Sequence, residues 1–131
     1  MGTSAAEGVI DPHHHVWDLV RDQDWITGQE LALLRRDFLL ADLDSAARAA
    51  GVTATVLVQT IDGPEETPEF LALAQGSDLV AGVVGWTDLT SPDVARALAA
   101  LREGPGGGPM SGERIRSVRS ACLASRARTR R

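Results

Sequence analysis

Lysine, tyrosine and asparagine are absent from this 131-residue chain, and all 13 basic residues are arginine. Together with abundant alanine, that bias is the mark of a GC-rich coding sequence. A single cysteine, Cys122, excludes an intrachain disulfide framework and fits a reducing compartment. No run is long and apolar enough to span a bilayer. The opening MGTSAAEG lacks the charged and apolar regions of a signal peptide. The expectation is a cytoplasmic protein with no membrane partner. The length suits one modest domain, and the hydrophobic content of 44% is enough for a core.

Charge is spread unevenly. Residues 1–112 hold six arginines against seventeen acids, a net of about −11, whereas 113–131 hold seven arginines and one acid, about +6. An acidic body suits a nucleic-acid substrate poorly. The arginine-rich end is a candidate polyanion-binding segment on charge alone, but no aromatics are interleaved with its arginines.

A regular rhythm fills the middle. VTATVLVQ (52–59) and LVAGVVGW (79–86) are β-branched, apolar runs that read as buried strands. Ahead of the first, Leu43, Ala46, Ala47 and Ala50 share one helical face, with Asp42 as N-cap and Gly51 just past the end. TPEFLALAQG (67–76) places Thr67 as N-cap and Pro68 at the first helical position. SPDVARALAALREG (91–104) repeats that start with Ser91 and Pro92, carries Val94, Ala97, Leu98 and Leu101 on one face, and stops at Gly104-Pro105. Strands alternating with helices predict βαβ units and a parallel sheet, hence an α/β fold. GPGGGPMSG (104–112) reads as a linker, and the remainder as an irregular tail.

All three histidines stand together in IDPHHHVWDL (10–19). The run is short for an expression tag and lies behind the hydrophobic pair Val9-Ile10. In extended chain the side chains alternate, so His13 and His15 point to one side and His14 to the other. Two imidazoles two residues apart at a strand end can reach one cation, and neutral imidazole is a common zinc ligand. A polar surface loop would carry the same pattern. Asp11 is a candidate outer-shell acceptor for an imidazole N–H, or the cap of a turn before Pro12.

VIDPHHHVWDL, LRRDFLLADLDSAARAAGVTATVLVQT, ETPEFLALAQ and VAGVVGWTDL, taken in order, resemble the amidohydrolase-related (amidohydrolase 2) family of TIM-barrel hydrolases. Within it they are similar to sugar-lactonase-like members of the fuconolactonase and rhamnonolactonase type. The resemblance covers roughly residues 9–103, and its most specific part is Asp-x-His-x-His. It implies a (β/α)₈ barrel whose first strand carries a metal pair, here His13 and His15. It implies hydrolysis of a lactone or amide by a metal-activated water, with a sugar lactone as substrate and zinc as the divalent metal, although some lactonase relatives work without one. Gln59 and Trp86, at the ends of the second and third strands, are then candidate substrate contacts, because barrel sites lie at the C-terminal strand ends. Trp25 is a further candidate over the pocket mouth or a loop anchor. Arg35, Arg36 and Asp37 read as a solvated face and Cys122 as a bystander.

A full barrel takes about 250 residues. Here three βα units span 9–103, behind an extension of residues 1–8, and are followed by linker and tail at 104–131. The tail lacks the apolar strand and GxRH-like motif of the family, and no histidine follows His15. The expectation is an N-terminal fragment with a truncated or out-of-frame end, inactive and poorly soluble alone. No residue is assigned as the catalytic acid or base. A metal-dependent phosphoesterase or nuclease barrel opens with a similar Asp-x-His-x-His and stays open as an alternative, as does the polyanion-binding tail. A small flavodoxin-like domain is also open, though the chain is short of strands and has no phosphate-binding glycine loop.

Overall fold

The computed structural model describes residues 8–107 and the backbone of 118–120. Most of the predicted linker and tail, Cys122 included, and the extension up to residue 7 lie outside the described residues. The order is β1 (Val9–His14), a 3₁₀ turn (Ala32–Leu34), α1 (Leu40–Ala49), β2 (Val52–Val58), α2 (Glu66–Gln75), β3 (Val80–Gly85), α3 (Val94–Glu103) and β4 (Val118–Ser120). The strands form one parallel sheet in the order β1-β2-β3-β4, so the α/β expectation holds.

Within the segment expected to be an irregular tail, β4 is the described part. Val118, Arg119 and Ser120 pair with Val83, Val84 and Gly85. Three residues carry no readable period, but the outer edge of β3 offers unpaired N–H and C=O groups that a short segment can satisfy.

The core lies between the sheet and α2. Leu57, Val80 and Val83 from the strands meet Phe70, Leu71 and Ala74, with Val16 beside them. Thr67, Phe70, Leu71 and Ala74 are buried at helical spacing, the stripe an α-helix needs to lie on a sheet. Leu57 is fully buried, which stabilises by about 1.5–3 kcal/mol. α1 and α3 are thinly covered. Of the face predicted for α1, Ala47 is buried and Leu43 half-buried, while Ala46 and Ala50 are exposed. The opposite sheet face, with Ala54, Val56, Val58 and Val84, is only half-buried.

The helix starts differ from the sequence reading. α1 begins at Leu40, and Asp42 sits inside its first turn, where its carboxylate accepts the Leu39 N–H at 2.8 Å. Thr67 is the second residue of α2 and turns its hydroxyl toward the strand ends, so it is no N-cap. Ser91 lies ahead of the N-cap Asp93 and accepts its N–H at 3.2 Å. Gly51 takes the left-handed conformation (φ 77°) that closes α1, as its position after the apolar face predicts.

Candidate metal centre

β1 is an edge strand, with β2 its only partner among the described residues. That position tolerates Pro12, which has no N–H to give a ladder. The register slips between Asp11 and His14. Asp11 bridges the slip, its Oδ1 accepting the His13 N–H at 3.1 Å. Asp11 thus caps the turn across Pro12, with its hydrogen bond to backbone rather than to an imidazole.

Past the slip the side chains separate as the period of two demands. His13 and His15 are exposed and their Nε2 atoms converge to 3.1 Å. His14 points the other way and is buried at 8% exposure, with neither ring nitrogen hydrogen-bonded. Burial pushes its pKa below the ordinary 6.5.

The proton positions at the pair follow from one contact. His15 Nδ1 lies 2.7 Å from the Val58 carbonyl oxygen, at the end of β2. A carbonyl only accepts, so Nδ1 carries a hydrogen, and in the neutral ring Nε2 presents a lone pair. The short Nε2–Nε2 contact then requires His13 Nε2–H to donate to His15. Two imidazole nitrogens about 2.0–2.1 Å from one tetrahedral cation stand about 3.3 Å apart, close to the separation found. The pair fits a cation that takes the place of that one hydrogen. Among the described residues no group of three or more His, Cys, Asp or Glu could hold a metal ion, so the histidine pair alone falls short of the three or so protein ligands that a catalytic zinc takes.

Gln59, the candidate substrate contact at the end of β2, is held inside the protein. Gln59 is buried and turned toward α2, on the same side as Leu57. Its amide donates to the carbonyls of Ile61 and Gly63, both at 2.7 Å. Its Oε1 accepts from the Thr67 hydroxyl and from the Trp86 N–H at 3.1 Å. All four hydrogen-bonding positions of the amide are used inside the protein. Trp86 is half-buried and lines an apolar cavity of about 220 Å³ with Pro64, Pro68, Leu71 and Leu101. The histidine pair does not border that cavity.

Trp25 packs edge-on against Trp17 at 5.2 Å, and its indole N–H donates to Gln23 at 2.9 Å. Gln23 also accepts from the Thr60 hydroxyl at 3.2 Å, which ties this loop to the residue after Gln59. Trp25 anchors the β1–α1 loop. The Arg35–Asp37 stretch is likewise more than a solvated face. Arg35 donates to the Ile26 carbonyl, Arg36 stacks 3.8 Å from the Phe38 ring, and Asp37 accepts the Leu19 N–H.

Two polar residues escaped the sequence reading. Glu66 is 2% exposed and accepts from the Thr60 N–H and hydroxyl, each at 2.9 Å. The Thr67 hydroxyl lies among Gln59 Oε1 and the Trp86 N–H and carbonyl. An acid and a threonine at a helix start look like capping residues, and only the strand ends facing them reveal another role. A groove of about 670 Å³ runs beside Val16, Trp17, Arg21, Leu40, Glu66 and Phe70. Neither His13 nor His15 borders it.

Comparison with known proteins fits this geometry. The L-fucono-1,5-lactonase of Burkholderia ambifaria is 36% identical over 96 residues, covering 73% of this chain and 33% of that protein. The L-fucono-1,5-lactonase of Burkholderia multivorans is 37% identical over 94 residues, 71% of this chain and 31% of that protein. Over its matched part the chain is homologous to lactonases and amidohydrolases of this kind. A crystal structure of a B. multivorans amidohydrolase with bound HEPES superposes with a TM-score of 0.66 at 36% identity, covering 73% of this chain and 33% of that one. A second crystal form, with bound zinc, gives 0.65 at 33% identity, covering 83% and 35%. No family model matches the chain. The chain spans about a third of the length of the family members it matches. Among the described residues no helix is long and apolar enough to cross a membrane.

Proposed function

We propose that residues 9–103 are the first three βα units of a (β/α)₈ barrel lactone hydrolase. His13 and His15 are two ligands of its divalent cation, zinc in the first instance. The observation that carries the reading is the convergence of the two Nε2 atoms at 3.1 Å, with His15 oriented by the end of the neighbouring parallel strand. Sites of barrel enzymes lie at this end of the strands. The lactonase relatives favour a sugar lactone over a phosphoester, and a B. multivorans neighbour binds zinc.

The role of each residue follows from its place. Val58 turns His15, and Asp11 shapes the backbone that carries His13. Gln59, Thr67 and Trp86 join the ends of β2 and β3, and Trp25 secures the adjoining loop. A bound divalent cation would bring the pKa of its water to about 7 and polarise the lactone carbonyl. The remaining ligands and the proton-transfer groups belong to strands beyond the three. The half-buried inner sheet face and the free edge of β1, where Val9 is 54% and Ile10 62% exposed, are the surfaces such strands would cover.

The test is complementation. The 131-residue chain is mixed with a polypeptide made of the B. multivorans relative beyond its matched segment, and L-fucono-1,5-lactone hydrolysis is followed with zinc present. The reading expects turnover in the mixture, none from either part alone, and loss of turnover with His13→Ala. Equal turnover with and without His13 in a mixture that associates would contradict it.

A further inference from the structure

We propose that Thr67 is a positioning residue for the His15 imidazole, acting through Gln59 and the peptide group between Val58 and Gln59. This inference rests on the reading of His15 as a cation ligand and names what holds it in place.

The argument starts from one rigid unit. The Val58 C=O and the Gln59 N–H belong to the same planar trans peptide and point in opposite directions. The N–H donates to the Val84 carbonyl of β3 at 2.9 Å. The C=O accepts from His15 Nδ1 on the β1 side at 2.7 Å. Whatever fixes the tilt of that peptide on the β3 side fixes the direction of the acceptor that His15 meets.

The backbone bond to Val84 alone leaves the peptide at the last rung of β2, where a strand is free to fray. The Gln59 side chain closes that freedom. Its Nε2 is held by the carbonyls of Ile61 and Gly63, and its Oε1 by Thr67 and Trp86. Thr67 is the member fixed from outside the strand ends. It is 1% exposed, sits in the first turn of α2 and shares the Trp86 N–H at 3.0 Å. Gly85 makes the approach possible, since any Cβ there would run into the Thr67 side chain. A buried hydroxyl from α2 therefore sets Gln59. Gln59 sets the peptide, and the peptide selects the tautomer in which His15 Nε2 presents a lone pair. Losing the direct outer-sphere partner of a ligand, here the Val58 carbonyl that this chain of contacts holds, changes metal affinity by about 10–100-fold.

The experiment uses the 131-residue chain, labelled with ¹⁵N at histidine. Long-range ¹H–¹⁵N spectra at pH 8 read the His15 tautomer in the metal-free protein, and calorimetry reads Zn²⁺ affinity. The chain itself and Thr67→Ser, which keeps the hydroxyl, are expected to show His15 protonated at Nδ1. Thr67→Val, of similar shape without the hydroxyl, is expected to show a tautomer mixture and at least about tenfold weaker zinc binding. An unaltered His15 tautomer and unaltered zinc affinity in a folded Thr67→Val chain would overturn the proposal. So would His15 protonated at Nε2 in the unaltered chain, a result that needs no variant to fold. Loss in Thr67→Ser equal to that in Thr67→Val would overturn it as well. If Thr67→Val disturbs the tautomer while the unaltered chain binds no zinc, the positioning stands and the cation reading fails.

Discussion

Replacing His14 with leucine should stabilise the protein. The ring is buried and neither nitrogen has a partner. Each polar group left unmade in this way costs about 1–3 kcal/mol. Leucine has a comparable volume and no polar atom, and it would lie on the side of the sheet that holds Val16 and Leu57. The expected gain at pH 7.5 is about 2 kcal/mol, the size of one such penalty after some loss of fit. With a urea slope of about 1–3 kcal/mol per molar, the midpoint should rise by about 1 M. The pH dependence is the sharper test. Burial places the folded-state pKa of His14 below its unfolded value of 6.5, so the unfolded chain takes up the proton first as the solution is acidified. His14 therefore costs no titration-linked stability above 6.5. The penalty grows as pH falls from 6.5 toward the folded-state pKa, by up to about 1.4 kcal/mol per pH unit. Urea unfolding of both chains from pH 5.5 to 7.5, followed by tryptophan fluorescence, gives the difference directly. A variant less stable at pH 7.5, or a difference that does not change across the range, would refute the reasoning.

Other perturbations have equally definite outcomes. Leu57→Ala empties a fully buried position and should lose about 2–5 kcal/mol in chemical denaturation. Asp42→Ala removes the acceptor of the Leu39 N–H from the first turn of α1 and should cost about 0.5–1 kcal/mol, read as a lower urea midpoint. Gly85→Ala places a methyl against Thr67 and should cost about 1–3 kcal/mol while weakening zinc binding in calorimetry. The unaltered chain with zinc should not raise lactone hydrolysis above the uncatalysed rate in a pH-indicator assay, because no group of three or more candidate ligands is found among the described residues.

The strands were readable because they are nearly continuous β-branched runs. The expected 52–59 and 79–86 became Val52–Val58 and Val80–Gly85. Helix positions were readable from their apolar spacing and stop signals, with Gly51 in the required left-handed conformation. Helix starts were less so. Thr67 has the chemistry of an N-cap, but two strand ends claim its hydroxyl, and no local rule contains that competition. The histidine pair was readable because a period of two is a local property. Its orientation was not, since Val58 lies 43 residues from His15. Gln59 shows the limit most clearly. Its place at a strand end pointed to substrate, and only the folded chain shows the four hydrogen bonds that hold its amide inside the protein.

The most direct test of the central claim is a titration of the 131-residue chain with Co²⁺, read by visible absorption, and with Zn²⁺, read by calorimetry. The prediction is one cation per chain, binding abolished by His13→Ala and by His15→Ala and retained by His14→Leu. Absence of binding, or binding lost with His14→Leu and kept without His13 and His15, would contradict a metal pair at the end of the first strand.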